Sequence, residues 1–205
     1  MSLNLTSAAK ASVTPAEGGK TAWFSANFPA TSGSCMFVAI SPAKALAGVD
    51  ASNYSVQYTI PSEQTPEAHS ADQSAHIIYG MTAPTTGLPD EVTMPFNHLN
   101  SYMKVALTNL KSGVTVKSVT LSTEDVNLTG VVTYNAISTK STVNGNKYVT
   151  ARTSNPDEVW FGVAPCDLSS KSLTVKVKTD QGVFTKTITL PASANLTPGL
   201  SLIHI

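Results

Sequence analysis

Four histidines, thirteen carboxylates, two cysteines and many hydroxyls are the side chains here whose types could carry chemistry. Nucleophilic catalysis needs a nucleophile, a base and an orienting group in contact. No serine stands in a Gly-x-Ser-x-Gly turn. His69 lies in a polar stretch, His98 follows Phe96 at a strand junction, and His204 lies in the final residues. His98 reads as a structural side chain bonded to backbone. His69, Asp72 and His76 are the one combination that could be drawn as a metal site, but their spacing matches no recurrent ligand pattern. The acids Glu63, Glu67, Asp90, Glu91, Glu124, Asp125, Asp157, Glu158 and Asp180 fall mostly in loops. They read as solvated turn residues rather than a glycosidase pair. Trp160 and Phe161 follow Asp157-Glu158 and could line a sugar platform or fill a core. There is no phosphate loop and no calcium loop. The expectation is an all-β, non-catalytic module outside the cytoplasm, with no catalytic, cofactor-binding or metal-binding residues.

The elements that would position these side chains read as strands throughout. Apolar and polar residues alternate in short runs at the spacing of a sandwich. The predicted strands are Thr21–Phe28, Cys35–Ser41, Tyr54–Ile60, His76–Met81, Val92–Phe96 and Ser101–Leu107. Six more follow: Val114–Leu121, Val131–Tyr134, Lys147–Ala151, Val159–Ala164, Leu173–Lys178 and Val183–Leu190. The last two form a hairpin around Asp180-Gln181-Gly182, with Leu173, Val175, Val177, Phe184, Ile188 and Leu190 on one buried face. An offset between Val116 and Val119 predicts a bulge. Asn144-Gly145-Asn146 reads as a turn, and Ser62–Ala75 as a long polar loop. Pro61, Pro84, Pro89, Pro156 and Pro165 fall at strand ends or in loops, where a missing N–H costs little.

Composition narrows the partners. The chain has 205 residues, enough for one large β domain or two small ones. Thirteen basic residues balance thirteen acidic ones, and the charged fraction is 13%, against roughly 25% in ordinary soluble domains. No basic stripe is present for nucleic acid, and no Lys/Arg cluster for anionic lipid. Ser and Thr make up about a quarter of the chain, a pattern common in secreted and surface β proteins. Cys35 and Cys166 read as two small buried hydrophobes, with pairing left open. No apolar run is long enough for a transmembrane helix.

Several segments taken together resemble the fimbrillin superfamily, the Mfa-like and FimA-like surface proteins of Bacteroidales. Met36–Pro42 looks like the family's aromatic-rich "YAYYP" strand. Tyr58–Thr65 is similar to its "IPxxQ" strand end. Asp72 with Ile77-Ile78-Tyr79-Gly80 resembles "D…LMYA", and Pro95–Tyr102 resembles "FKHxxA". Val114–Leu121 and Leu173–Leu190 resemble later strands. The resemblance implies a transthyretin-like antiparallel β-sandwich, displayed at the outer membrane as a lipoprotein and in some members assembled into pili. Assembly would proceed by β-strand addition to other pilus subunits or surface proteins, with host or glycan ligands as further partners.

The ends depart from that pattern. Met1–Gly19 is polar and reads as an arm or edge strand, with residues 20–199 as the sandwich. No signal segment or lipid-attachment cysteine stands near Met1, and the sole arginine, Arg152, lies inside the domain, leaving Lys10 and Lys20 as trimming sites. Leu200–Ile205 looks like an in-frame translation of a sequencing-library adapter, so a terminal strand is expected to be missing. The leading reading is a fimbrial or surface component. The alternative is a carbohydrate-binding β-sandwich with Trp23, Tyr134, Tyr148 or Trp160 exposed on one flat face.

Overall fold

The computed structural model describes residues 12–15, 22–25, 32–50, 52–108, 110–153 and 155–199. The chain divides into two compact units, Met1–Ala39 with Met81–Pro95, and Ile40–Gly80 with Phe96–Ile205. Strands are numbered along the chain. In the smaller unit, β1 (Ser12–Pro15) pairs antiparallel with β2 (Ala22–Ser25). There too, β3 (Ser34–Cys35) pairs with β9 (Thr85–Thr86). Two strands, β4 (Val38–Ser41) and β8 (Ile78–Met81), run through the junctions in sequence. The predicted strand at Val92–Phe96 does not form, and a strand begins only at Phe96. Pro95 has no N–H to give a ladder there.

The larger unit is a β-sandwich. One layer is a five-stranded sheet in the order β19 (Val183–Thr189), β18 (Ser172–Thr179), β12 (Val116–Ser122), β15 (Tyr148–Arg152), β7 (Glu63–Gln64). All its pairings are antiparallel except β15 with β7. β12 carries the predicted bulge, between Val116 and Ser118. Against this sheet packs the antiparallel pair β11 (Ser101–Val105) and β16 (Val159–Val163). Their inner residues Met103, Val105, Val159, Phe161 and Val163 share one core with Val119, Leu121, Val149, Ala151, Leu173 and Val175. Alternation puts these side chains on one face of each strand, and burying that face is what holds the layers together. A short pair, β17 (Cys166–Asp167) with β20 (Asn195–Leu196), brings Leu168 and Leu196 into the same core.

A second sheet runs β14 (Lys140–Asn146), β13 (Thr129–Asn135), β6 (Ser55–Ile60), β5 (Leu46–Asp50). Beside it, β8 pairs with β10 (Phe96–His98), and Tyr79 of β8 meets Tyr134 of β13 edge to face at 5.5 Å. Asn144-Gly145-Asn146 is not a turn but the end of β14, in register with Thr129–Val131. Gly145 faces Gly130, whose φ is +121°. A Cβ on Gly145 would collide with the Thr129 carbonyl and stand 2.6 Å from the Gly130 Cα. Paired glycines let the two backbones approach where any side chain would push them apart.

The C-terminal hairpin forms as predicted, but only half of its expected apolar face is buried. β18 buries Leu173 and Val175, whereas Phe184 and Val183 in β19 are each 58% exposed. β19 is the edge of this sheet among the described residues. The stretch Ser62–Ala75 is not a solvated loop either. It contains β7 and a 3-10 turn at Gln73–Ala75, and it buries Gln64, Ala71 and Ala75.

Candidate functional site

The polar residues singled out in the sequence become parts of a buried frame around β11 and β16. Gln64, 1% exposed, lies beside β16 and completes it like a strand. Its Nε2 donates to the Gly162 carbonyl at 2.7 Å and to that of Pro61 at 2.9 Å. Its Oε1 accepts from the Gly162 N–H at 2.9 Å. One primary amide therefore satisfies both backbone groups of Gly162, which would otherwise be orphaned in the core. On the same glycine a Cβ would stand 2.7 Å from Ala75. Asn100, fully buried, accepts from the Ile77 N–H at 3.0 Å and donates to the Ala75 carbonyl at 2.7 Å. Tyr58 donates its hydroxyl proton to the Leu99 carbonyl at 3.0 Å.

Asp72 organises the segment that carries these groups. Its carboxylate accepts from the N–H groups of Thr65 and Ser74 and from the Ser74 hydroxyl. Burial raises its pKa, but these hydrogen bonds outweigh burial and hold it below the usual value. It caps the 3-10 turn. His69 instead pairs with Glu158, and His76 with His98. Among the described residues, no three side chains of ligand type converge.

At the end of β10 the rings of His76 and His98 stack at 4.8 Å, and Tyr102 meets both edge-on at 5.7 Å. His98 is held by the Tyr102 hydroxyl at 3.3 Å rather than by backbone. Burial, then the neighbouring His98, lowers the His76 pKa. Burial pushes the Tyr102 hydroxyl up to about 12, so it stays a neutral donor. On the outer face of the same strand pair, Lys104 lies over the Trp160 ring at 5.3 Å and bonds Glu158 at 3.2 Å. Glu158 is held below the usual carboxylate range by His69 and then by Lys104. The Trp160 Nε1 is buried there without a partner.

The exposed feature of this frame is an edge. Gly162 turns its N–H and C=O away from β11, toward Gln64. In an antiparallel ladder the opposite residue, Tyr102, must turn its own groups away from β16. Asn100, two residues earlier, has the same sense, and its carbonyl accepts from the Gly199 N–H at 3.0 Å. Beside it the Ser101 hydroxyl bonds the Thr197 carbonyl at 2.7 Å. The backbone groups of Tyr102 and Lys104 face an edge along which no strand runs among the described residues.

The remaining candidates stay apart. Glu63 pairs with Arg152 at 3.0 Å, and Glu67 accepts from Gln73. Of the four aromatics proposed as a sugar platform, Tyr134 packs on Tyr79 and Trp160 lies under Lys104. Tyr148 is 41% exposed, and the side chain of Trp23 lies outside the described residues, as does His204. Both cysteines are free and half-buried rather than fully so. The Cys35 thiol bonds Thr85 and the Gly87 carbonyl. Burial, with Asp167 beside it, pushes the Cys166 thiol up to about 12, so it is an inert hydrophobe. Sequence reasoning missed the roles of Gln64, Asn100 and Gly162. An amide three residues after a proline at a strand end was their only local signal.

Fold and frame together define an all-β protein of the β-sandwich class. The profile of the fimbrillin-like family matches residues 3–203, and the chain belongs to that family of fimbrial and cell-surface components. A crystal structure of a candidate cell-adhesion protein from Bacteroides fragilis NCTC 9343 is similar at 13% identity, with a TM-score of 0.34. That match covers 94% of this chain and 85% of the other. No curated protein matches the chain.

Proposed function

We infer that this chain is a structural and adhesive subunit of a surface fibre, held at the outer membrane and joined to its neighbours by β-strand addition at β11. The observation that carries this reading is the edge of β11. Its inner side chains Ser101, Met103 and Val105 are buried as in a central strand. Yet among the described residues no strand runs beside its outer backbone groups at Tyr102 and Lys104. A strand supplied by another subunit would take those hydrogen bonds and cover the edge. The family membership supports a fimbrial setting.

Proline tests the edge directly. The Lys104 N–H points away from β16, so Lys104→Pro removes a donor to an incoming strand without touching the existing ladder. Lys104→Ala controls for loss of the ammonium. Each chain is displayed on cells together with its natural partners, and heat-stable oligomers are followed by gel. The expected result is loss of oligomers with proline and retention with alanine, both variants keeping the wild-type far-UV spectrum. Normal assembly of a folded proline variant would remove β11 as the acceptor.

A further inference from the structure

The outward face of the five-stranded sheet carries an uneven distribution of charge, of which only the Arg152–Glu63 pair is used within the fold. Its core face is fixed by Val119, Leu121, Val149, Ala151 and Val175. Register therefore assigns the opposite face. One row across the strands reads Val183, Lys178, Ser118, Arg152. The next reads Thr185, Lys176, Thr120, Thr150, Glu63. A third passes through Thr174 and Ser122 and ends on Tyr148. Lys176, Lys178, Arg152 and Tyr148 are all exposed. Glu63, paired with Arg152, is the one carboxylate in these rows. In a chain with equal numbers of acids and bases, this face has three cations to one acid.

The spacing suits an extended anionic ligand. Lys176 and Lys178 are two residues apart on one strand, about 7 Å. Lys178 and Arg152 are two strands apart, roughly 10 Å, with the Ser118 hydroxyl between them. Hydroxyls fill the positions between the cations. The Thr120 and Thr150 hydroxyls already bond each other at 2.9 Å, so those side chains are held in place. Protein partners take their affinity from clustered apolar anchors in pockets, and the rows offer only Val183, alone on the edge strand. Tyr148 instead offers a ring at the rim on which a sugar can stack. We propose that this sheet face binds an acidic polysaccharide, with Lys176, Lys178 and Arg152 receiving its sulfate or carboxylate groups and Tyr148 a sugar ring. The site is separate from the edge of β11 and does not depend on strand addition.

The test measures binding of the intact chain to immobilised heparin, polygalacturonate and dextran at low salt. Heparin carries sulfates, polygalacturonate carboxylates, and dextran neither. Retention of one or both acidic polymers and not dextran is expected, and the preferred one identifies the anion. Lys176→Gln with Lys178→Gln should weaken binding about tenfold, equivalent to about 1.4 kcal/mol. Lys111→Gln with Lys140→Gln removes the same charge elsewhere and should leave binding unchanged. Tyr148→Ala should weaken binding without altering its salt dependence, because stacking is not screened. Equal losses in the two double variants would reduce the effect to net charge and overturn the proposal. So would failure to retain either acidic polymer, or equally tight binding of poly-glutamate, which would point to an acidic protein instead.

Discussion

At the residue scale, single amides do work that strands usually do. Gln64 gives Gly162 the donor and acceptor that a neighbouring strand would have given. Gln64→Ala leaves two buried backbone groups unpaired, each costing about 1–3 kcal/mol. A destabilisation of about 3 kcal/mol is expected in urea unfolding, well above that of Gln57→Ala on the solvent side of β6. The histidine pair predicts a pH dependence. His76 binds its proton less readily in the fold than in the unfolded chain, because burial and His98 oppose the charge. Between its lowered folded value and 6.5 the unfolded chain therefore holds more protons. Its contribution is fully present above 6.5 and is lost as pH falls through that window. Melting temperature should decline over that range before the carboxylates titrate, and His76→Gln should flatten the decline.

At the element scale, the strands differ most in how they treat their edges. Alternation located both strands of the C-terminal hairpin, but not which of them is an edge. β19 sets Lys186 on its inward face between Phe184 and Ile188, opposite Val175. A charge pointing inward on an edge strand opposes pairing with another chain, since it would be carried into an apolar seam. Lys186→Val should make the protein self-associate with rising concentration, seen as earlier elution in size-exclusion chromatography, while the wild type does not. If the variant elutes unchanged, Lys186 does not guard that edge. β14 shows the opposite limit of sequence reading. Asn-Gly is an ordinary turn signal, yet Gly145 lies in a strand because it faces Gly130 and the two backbones need the room.

At the scale of the whole molecule, the larger unit rests on one core between the five-stranded sheet and the β11–β16 pair. Phe161 is its largest fully buried aromatic apart from Tyr58, which lies in the other sheet. Phe161→Ala should cost about 3–5 kcal/mol. That loss should appear as a lower urea midpoint with the slope of the transition kept. A cavity there lies on the inner side of β16, whereas Gln64 acts at its edge, so the two losses test different supports of one strand. Membership of the fimbrillin-like family fits a molecule in which the polar side chains of Gln64, Asp72 and Asn100 brace its strands and turns.

Local patterning was enough to establish the all-β class, most strand positions, the bulge in β12 and the last hairpin. Those features depend on side-chain alternation and turn residues that are neighbours in the chain. The family resemblance was also legible, through segments around Gln64, Asp72 and His98. What those segments do was not. Gln64 and Gly162 are 98 residues apart and Asn100 and Ile77 are 23 apart, so their pairing exists only once the chain has folded. The same holds for the edges. A strand's sequence records which of its faces is buried, but not whether another strand lies along its backbone. Backbone hydrogen bonds carry no side-chain signature, so only the tertiary structure decided that, among the described residues, β19 ends its sheet and no strand runs along the outer edge of β11.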